Sequence, residues 1–156
     1  MELKIPEGAM ERALAEAEAA RARGEVPVGA ALYDAQGRLI AAAGNRILEL
    51  KDPTAHAELL ALRAGAAALA NERLLGTTLV STLEPCAMCA GAIVLARVAT
   101  VVFGAGDPKG GAVIHGARLF DQPGLNHRPR AIGPTGPEAC GALLKSFFAE
   151  RRSPDK

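Results

Sequence analysis

Aromatic residues are scarce in this chain of 156 residues, which has no Trp, one Tyr and four Phe. Its core must therefore be built mainly from Ala, Leu and Val. Cysteine is also scarce: the three present are an odd number, which does not suit a secreted disulfide scaffold. No apolar run approaches the roughly 18 residues of a membrane span, and the first residues lack the apolar segment of a signal peptide. These absences predict a reduced, cytoplasmic protein that does not act at a membrane.

The chain also has little net charge, since 18 Lys and Arg against 17 Asp and Glu leave +1. This balance excludes a generally basic nucleic-acid coat and an acidic tail protein, but not a local patch. Residues 1–96 carry 9 basic and 12 acidic side chains, whereas residues 97–156 carry 9 and 5. The second part is therefore where phosphate contacts are expected, and its cations include Lys109, Arg118, Arg128, Arg130, Lys145, Arg151 and Arg152.

The pattern of apolar residues and turn signals predicts one α/β domain over residues 1–156. Helices are predicted over residues 9–23, 52–70, 86–96 and 138–152, the last with Leu143, Leu144, Phe147 and Phe148 on its buried side. Strands are predicted over residues 26–33, 38–43, 78–82 and 100–104. Residues 105–137 are rich in Gly and Pro and give no clear pattern. A hairpin followed by alternating helices and strands predicts a mixed sheet with helices packed on it.

The sharpest local motif is the pair Cys86 and Cys89 after Pro85. Cysteines at positions i and i+3 of a helix point to the same side, so both sulfurs can reach one ion. The positive end of the helix dipole stabilises thiolates at this place. By itself the motif fits a redox dithiol, half of a structural zinc site or a catalytic metal site.

A second motif, His56-Ala57-Glu58, lies 30 residues before Cys86. One His and two Cys give three protein ligands for zinc and leave a fourth position open for water, as in catalytic rather than structural sites. Zinc lowers the pKa of such a water to about 7. Glu58 need not bind the metal and is placed to act as general base and then general acid. The order H-x-E followed by P-C-x-x-C is the signature of zinc nucleobase deaminases.

Around these motifs the chain resembles the bacterial tRNA-specific adenosine deaminases of the cytidine deaminase-like superfamily, over nearly its whole length. The shared segments are residues 25–30, 44–46, 52–58, 82–92, 102–107, 124–128 and the Phe-Phe-x-x-Arg-Arg ending at 147–152. The resemblance implies a three-layer α/β/α fold with a mixed five-stranded sheet, one Zn²⁺ per subunit and a homodimer. It also implies conversion of adenosine to inosine at the wobble position of a tRNA anticodon.

Roles for individual residues follow from the same resemblance. His56, Cys86 and Cys89 would bind zinc, and Glu58 would transfer protons. Substrate contacts are expected from Asn45 and the backbone of Ala57, and RNA contacts from Asp107, Lys109, Phe147, Phe148, Arg151 and Arg152. The partner would be a tRNA anticodon stem-loop.

Two segments depart from the family pattern. Ile114-His115 replaces a usual Gly-Ser pair, and residues 133–137 replace a more helix-friendly entry to the last helix. Both departures affect the expected RNA contacts and not the zinc residues.

Two other functions remain open at this point. The zinc motif also serves deaminases of free guanine, cytosine or nucleosides. Alternatively, a fourth ligand from Cys140, His115 or His127 would close the metal site in a zinc-stabilised RNA-binding or scaffold domain. That site would leave Glu58 without a task.

Overall fold

A computed structural model describes residues 5–136 and 138–151. Its five strands form one sheet in the order β2-β1-β3-β4-β5, with bounds β1 Gly29–Tyr33, β2 Leu39–Gly44, β3 Thr78–Leu83, β4 Thr100–Ala105 and β5 Arg130–Ile132. Strand β1 pairs antiparallel with β2 and β3, whereas β3, β4 and β5 run parallel. The mixed sheet predicted from the sequence pattern, and the five strands implied by the family resemblance, are confirmed.

Helices cover both faces of this sheet. They are α1 Ala9–Ala22, α2 Ile47–Leu50, α3 Ala57–Leu69, α4 Ala87–Ala96 and α5 Glu138–Arg151, with a short 3₁₀ turn at Leu119–Asp121. Helices α1 and α5 pack on one face, and α3 and α4 pack on the other. The predicted three-layer α/β/α arrangement is therefore confirmed. Among the described residues no helix is long and apolar enough to cross a membrane.

The core follows the alternation of side chains along the strands. Leu32, Leu79 and Phe103 are buried against α3 and α4, whereas Ala31 and Tyr33 are buried against α1. Helix α1 approaches very closely, because a Cβ atom added to Gly29 would lie 1.9 Å from the carbonyl oxygen of Ala13. The buried alanines of α1 pack closely on Gly29 of β1, so this part of the core is filled without large aromatic side chains.

Several predicted boundaries are wrong. Strand β1 begins at Gly29 rather than Val26, and α3 begins at Ala57 rather than residue 52. The carboxylate of Asp52 accepts hydrogen bonds from the N–H and the hydroxyl of Thr54, so these residues form a side-chain turn instead of a helix. Strand β5 and helix α2 had no sequence prediction. Phe148, expected on the buried side of the last helix, is 42% exposed.

Candidate active site

The predicted metal and catalytic residues, with some of the predicted substrate contacts, converge on one edge of the sheet. This edge holds the carboxyl ends of β2, β3 and β4 and the amino end of the antiparallel β1. A pocket of about 510 Å³ opens there, a volume typical of small-molecule sites. His56, Glu58 and Cys86 line it together with Asn45 and Asp107.

Two helix N-termini bring the predicted metal ligands together. His56 is the N-cap residue of α3, Cys86 is the N-cap residue of α4, and Cys89 lies in the first turn of α4. The Nδ1 atom of His56 lies 3.6 Å from the Sγ atom of Cys86 and 3.7 Å from that of Cys89. Tetrahedral zinc with bonds of about 2.0 Å to nitrogen and 2.3 Å to sulfur spaces its ligands about 3.5 Å apart. The donor set and its spacing therefore fit Zn²⁺.

The electrostatics of the cluster favour thiolate. Hydrogen bonds from Cys89 and His56 lower the pKa of Cys86 to about 3. The hydrogen bond to Cys86, and then burial, raise the pKa of Cys89. The same contact with Cys86 raises the pKa of His56. Cys86 is thus the more acidic thiol of the pair, and the helix dipole of α4 also favours its thiolate.

Glu58 lies beside this cluster but outside it. Among the described residues, the side chains placed to hold one ion are His56, Cys86 and Cys89, whose ligand atoms lie within 4.8 Å of one another. Glu58 lies in the first turn of α3, is 4% exposed and lines the pocket. Burial raises the pKa of its carboxyl group to about 7. A carboxyl group in this environment can exchange a proton at neutral pH.

Asn45 connects β2 to the start of α3. Its Oδ1 atom accepts a 2.8 Å hydrogen bond from the backbone N–H of Ala57. Because that oxygen is engaged, the NH₂ group is what Asn45 offers to the pocket. The substrate contact predicted for the Ala57 backbone stays a prediction. In this structure the Ala57 N–H donates its hydrogen bond to Asn45.

A second buried carboxylate, Glu84, organises the opposite wall. It accepts hydrogen bonds from the backbone N–H groups of Asp107, Val113, Ile114 and His115, and its Oε1 atom lies 2.7 Å from Nδ1 of His115. Burial alone would raise the pKa of Glu84, but these hydrogen bonds outweigh it and lower the pKa to about 2. The loop that carries the Ile114-His115 departure is therefore anchored directly next to Cys86.

The residues expected to contact RNA lie in different settings. Asp107 lines the pocket, and its Oδ1 atom accepts the N–H groups of Lys109 and Gly110, so it shapes its own loop. Lys109 is exposed. Phe148 lines the pocket, whereas Phe147 is buried and packs edge-to-face against it.

Arg151 is held by the protein itself. Its guanidinium group stacks 4.6 Å from the centre of the Phe147 ring and donates a hydrogen bond to the carbonyl of Gly24. These contacts join the end of α5 to the end of α1. Arg152, also expected to contact RNA, lies outside the described residues.

The three residues considered as a fourth metal ligand are each engaged elsewhere. Cys140 packs against β4, where a Cβ atom added to Gly104 would lie 2.5 Å from its sulfur. His115 is bonded to Glu84, and the Nε2 atom of His127 lies 2.6 Å from the carbonyl oxygen of Val98. Within residues 5–136 and 138–151, none of the three belongs to the ligand cluster. The arrangement is that of an open, catalytic metal site.

Sequence reasoning missed part of the pocket wall. Val26 and Val28 line it from the segment before β1, and Gly141 and Leu144 line it from α5. Lys145, predicted only as one cation of the basic second half, lines it from the same helix. The spacing of Gly141, Leu144, Lys145 and Phe148 is that of one helix face, which is the signal that could have grouped them.

Comparison with known proteins agrees with this geometry. The profile of the cytidine and deoxycytidylate deaminase zinc-binding region matches residues 3–105. A tRNA-specific adenosine deaminase of Agrobacterium fabrum is 49% identical over 146 residues, which cover 94% of this chain and 95% of that protein. The chain belongs to the zinc-dependent deaminase family that includes the tRNA-specific adenosine deaminases. His56, Cys86 and Cys89, the predicted ligands, are placed to bind the zinc ion of this family.

Two solved structures place the chain within this deaminase family. One, from biochemical and structural studies of A-to-I editing by tRNA:A34 deaminases at the wobble position of transfer RNA, has a TM-score of 0.84 and 48% identity, covering 87% of this chain and 98% of that one. The other, a guanine deaminase from Nitrosomonas europaea, has a TM-score of 0.75 and 26% identity, covering 96% of this chain and 87% of that one. Both comparisons support the zinc deaminase fold, and the first is nearer in sequence.

Proposed function

We propose that this protein hydrolyses adenosine to inosine at the wobble position of a tRNA anticodon. The observation that carries the proposal is the buried Glu58 carboxyl group, which lines a pocket beside a three-ligand metal cluster but does not belong to that cluster. The similarity to tRNA-specific adenosine deaminases supports the choice of substrate. Under this proposal, residues 1–156 act as one deaminase domain, in the cytoplasm where tRNA is used.

The chemistry needs water, an acid-base group and a way to hold the base. A zinc ion held by His56, Cys86 and Cys89 supplies Lewis-acid activation of a water molecule. Glu58 takes a proton from the attacking water and delivers it to the adenine ring. The water oxygen forms the new bond to C6. The C6–N bond breaks, and Glu58 would pass the second water proton to the amino group, which leaves as ammonia. The balance is adenosine plus water to inosine plus ammonia.

Asn45 would orient the base in this reaction. Its NH₂ group suits a purine acceptor such as N7, since its oxygen is already bonded to Ala57. The backbone of Ala57, which is predicted to contact the substrate, would also hold the Asn45 amide in place. Asn45 follows the end of β2 and is bonded to Ala57 at the start of α3, next to His56, so the base would be held close to the metal ligands.

The RNA is expected to lie across the mouth of the pocket. The base must leave its stack to enter, and Phe148 offers an exposed ring at the mouth on which a neighbouring base can stack. Asp107 and Lys109 would flank the RNA from their loop. Phe147 and Arg151 would support Phe148 and the end of α5. Arg152 would contact the RNA, as the family resemblance implies.

We also propose that two copies of the chain associate through α4. This helix is apolar on all sides: Cys89, Ala90, Ile93 and Val94 are buried against its own sheet, while Leu95 is 78% and Met88 36% exposed. Met88 and Leu95 are seven residues apart and share one face with the small residues Gly91 and Ala92. A helix that is apolar all round requires cover on both faces, and a second copy of the same face would supply it.

Deamination of a free base is the second candidate. The same zinc motif serves deaminases of free bases, and the guanine deaminase of Nitrosomonas europaea is a structural relative. The basic residues of the second half of the chain and the higher identity to tRNA deaminases favour RNA.

A positional assay tests the proposal. The purified protein is incubated with an anticodon stem-loop carrying adenosine at the wobble position and at a second loop position. Inosine at the wobble position alone is the expected product. Inosine at both positions, or at neither, would contradict the assignment.

A further inference from the structure

Among the Lys and Arg side chains of the described residues, Lys145 alone lines the pocket, while Lys109 and Arg130 share its lack of an acidic partner. Arg118 is paired with Asp121, Arg128 donates to backbone carbonyls, and Arg151 donates to the carbonyl of Gly24. Lys145 lines the pocket and has no acidic partner among the described residues. Its ammonium group is therefore available to an anion at the pocket mouth.

The face of α5 that carries Lys145 lines the pocket and has open space at Gly141. Gly141, Leu144, Lys145 and Phe148 line the pocket with helical spacing, so they form one continuous strip. A Cβ atom added to Gly141 would find nothing within 4 Å. The glycine therefore leaves a notch that no other part of the described chain fills, one turn before Lys145.

The acidic groups near this strip do not compete for Lys145. Asp107, across the mouth, is bonded to the N–H groups of Lys109 and Gly110. The Glu84 carboxylate is saturated by its loop, and Glu58 is buried at the base of the pocket. An ammonium group beside an open notch and an exposed aromatic ring fits a nucleotide, with the phosphate near Lys145 and the base on Phe148.

We propose that the Gly141 notch and Lys145 form a subsite for the phosphodiester next to the deaminated adenosine. The inference rests on the proposed function, because only an RNA substrate brings this group. It also explains selectivity: a free nucleobase has no phosphodiester and gains nothing from the subsite. Lys145 is then a specificity-determining residue that acts on binding and not on the chemical step.

Removal of the charge tests the subsite. Lys145→Met should raise KM for the stem-loop about 5-fold, leave kcat within 2-fold, and reduce the slope of log KM against log salt by about 0.7. Lys145→Arg should restore most of the wild-type KM. Arg73→Met is the matched control, since Arg73 is exposed in the segment before β3, at the opposite edge of the sheet. An unchanged KM and salt slope in Lys145→Met would overturn the proposal.

A neutral linkage in the RNA identifies the contact. Stem-loops with a single methylphosphonate on the 5′ or the 3′ side of the wobble adenosine remove one phosphate charge at a time. The wild type should lose affinity for one of these, and Lys145→Met should be insensitive to that same change. Equal sensitivity of both proteins to both linkages would show that Lys145 does not meet either phosphate.

Gly141→Ala separates the subsite from protein stability. Alanine is the better helix former and meets no atom of the described chain, so Tm should rise by about 2 °C, while a methyl group in the notch should raise KM. A rise in Tm with unchanged KM would count against the notch. If the wild type converts the stem-loop but these variants behave like it, the subsite is wrong. If the wild type itself leaves the RNA unconverted, the proposed function is wrong.

Discussion

The side-chain oxygen of Asn45 accepts a hydrogen bond of 2.8 Å from the backbone N–H of Ala57. This one contact joins the end of β2 to the first turn of α3, directly between His56 and Glu58. It fixes which way the Asn45 amide points, so that the NH₂ group is the one left for the pocket.

Asn45→Asp tests that orientation. A carboxylate keeps the acceptor for Ala57 but loses the NH₂ donor, so the fold should be retained while kcat/KM falls about 10- to 100-fold. Thermal unfolding and steady-state kinetics measure the two effects separately. A fall in Tm with unchanged kcat/KM would show that Asn45 serves the fold alone.

Glu58→Gln should abolish turnover and leave the metal in place. Loss of a general acid-base group lowers kcat by about 10²- to 10⁴-fold, while the ligand set of His56, Cys86 and Cys89 stays complete. Zinc content is measured beside the deamination rate. Full deamination by Glu58→Gln or Glu58→Ala would contradict the proton-transfer role. A purely structural zinc site would be insensitive to these substitutions.

The cysteines should divide into two classes. Cys86→Ser should lower zinc content well below one ion per chain, because it removes a ligand. Cys140→Ser should leave zinc content unchanged, because this residue packs against Gly104 and burial raises the pKa of its thiol. Elemental analysis of the purified variants measures both. Loss of zinc from Cys140→Ser would revive a closed, four-ligand site.

The loop after β4 should depend on Glu84 far more than on His115. Glu84→Gln weakens hydrogen bonds from four backbone N–H groups to a buried carboxylate. It should lower the free energy of unfolding by about 3 kcal/mol. His115→Ser removes one half-exposed partner and should cost about 1 kcal/mol. Urea unfolding compares the two. Equal losses would mean that the histidine, and not the backbone, anchors this loop.

The sequence predicted the fold class and the metal cluster well, for a physical reason. Helix propensity, turn residues and the i, i+3 spacing of Cys86 and Cys89 are local properties. The contact between His56 and these cysteines is long-range, and local propensity does not predict it. It was predicted because one zinc ion needs ligands from both motifs, which must therefore lie close together.

Other features depended on tertiary contacts with no local signal. Helix α3 starts late because Asp52 bonds to Thr54, and Pro53 within this turn had suggested a helix start. Strand β5 has three residues and exists because it pairs with β4. Arg151 looks like a free cation in the sequence, yet it is bonded to Gly24 from the far end of α1. The use of each cation was therefore visible only in the structure.

We have proposed that this zinc deaminase acts on adenosine within RNA. Mass-spectrometric detection of inosine in an anticodon stem-loop with a wobble adenosine, run beside free adenine, guanine and cytosine at equal concentration, tests this substrate choice. We expect conversion of the wobble adenosine and little or no deamination of the free bases. Rapid conversion of guanine with the RNA left intact would contradict it.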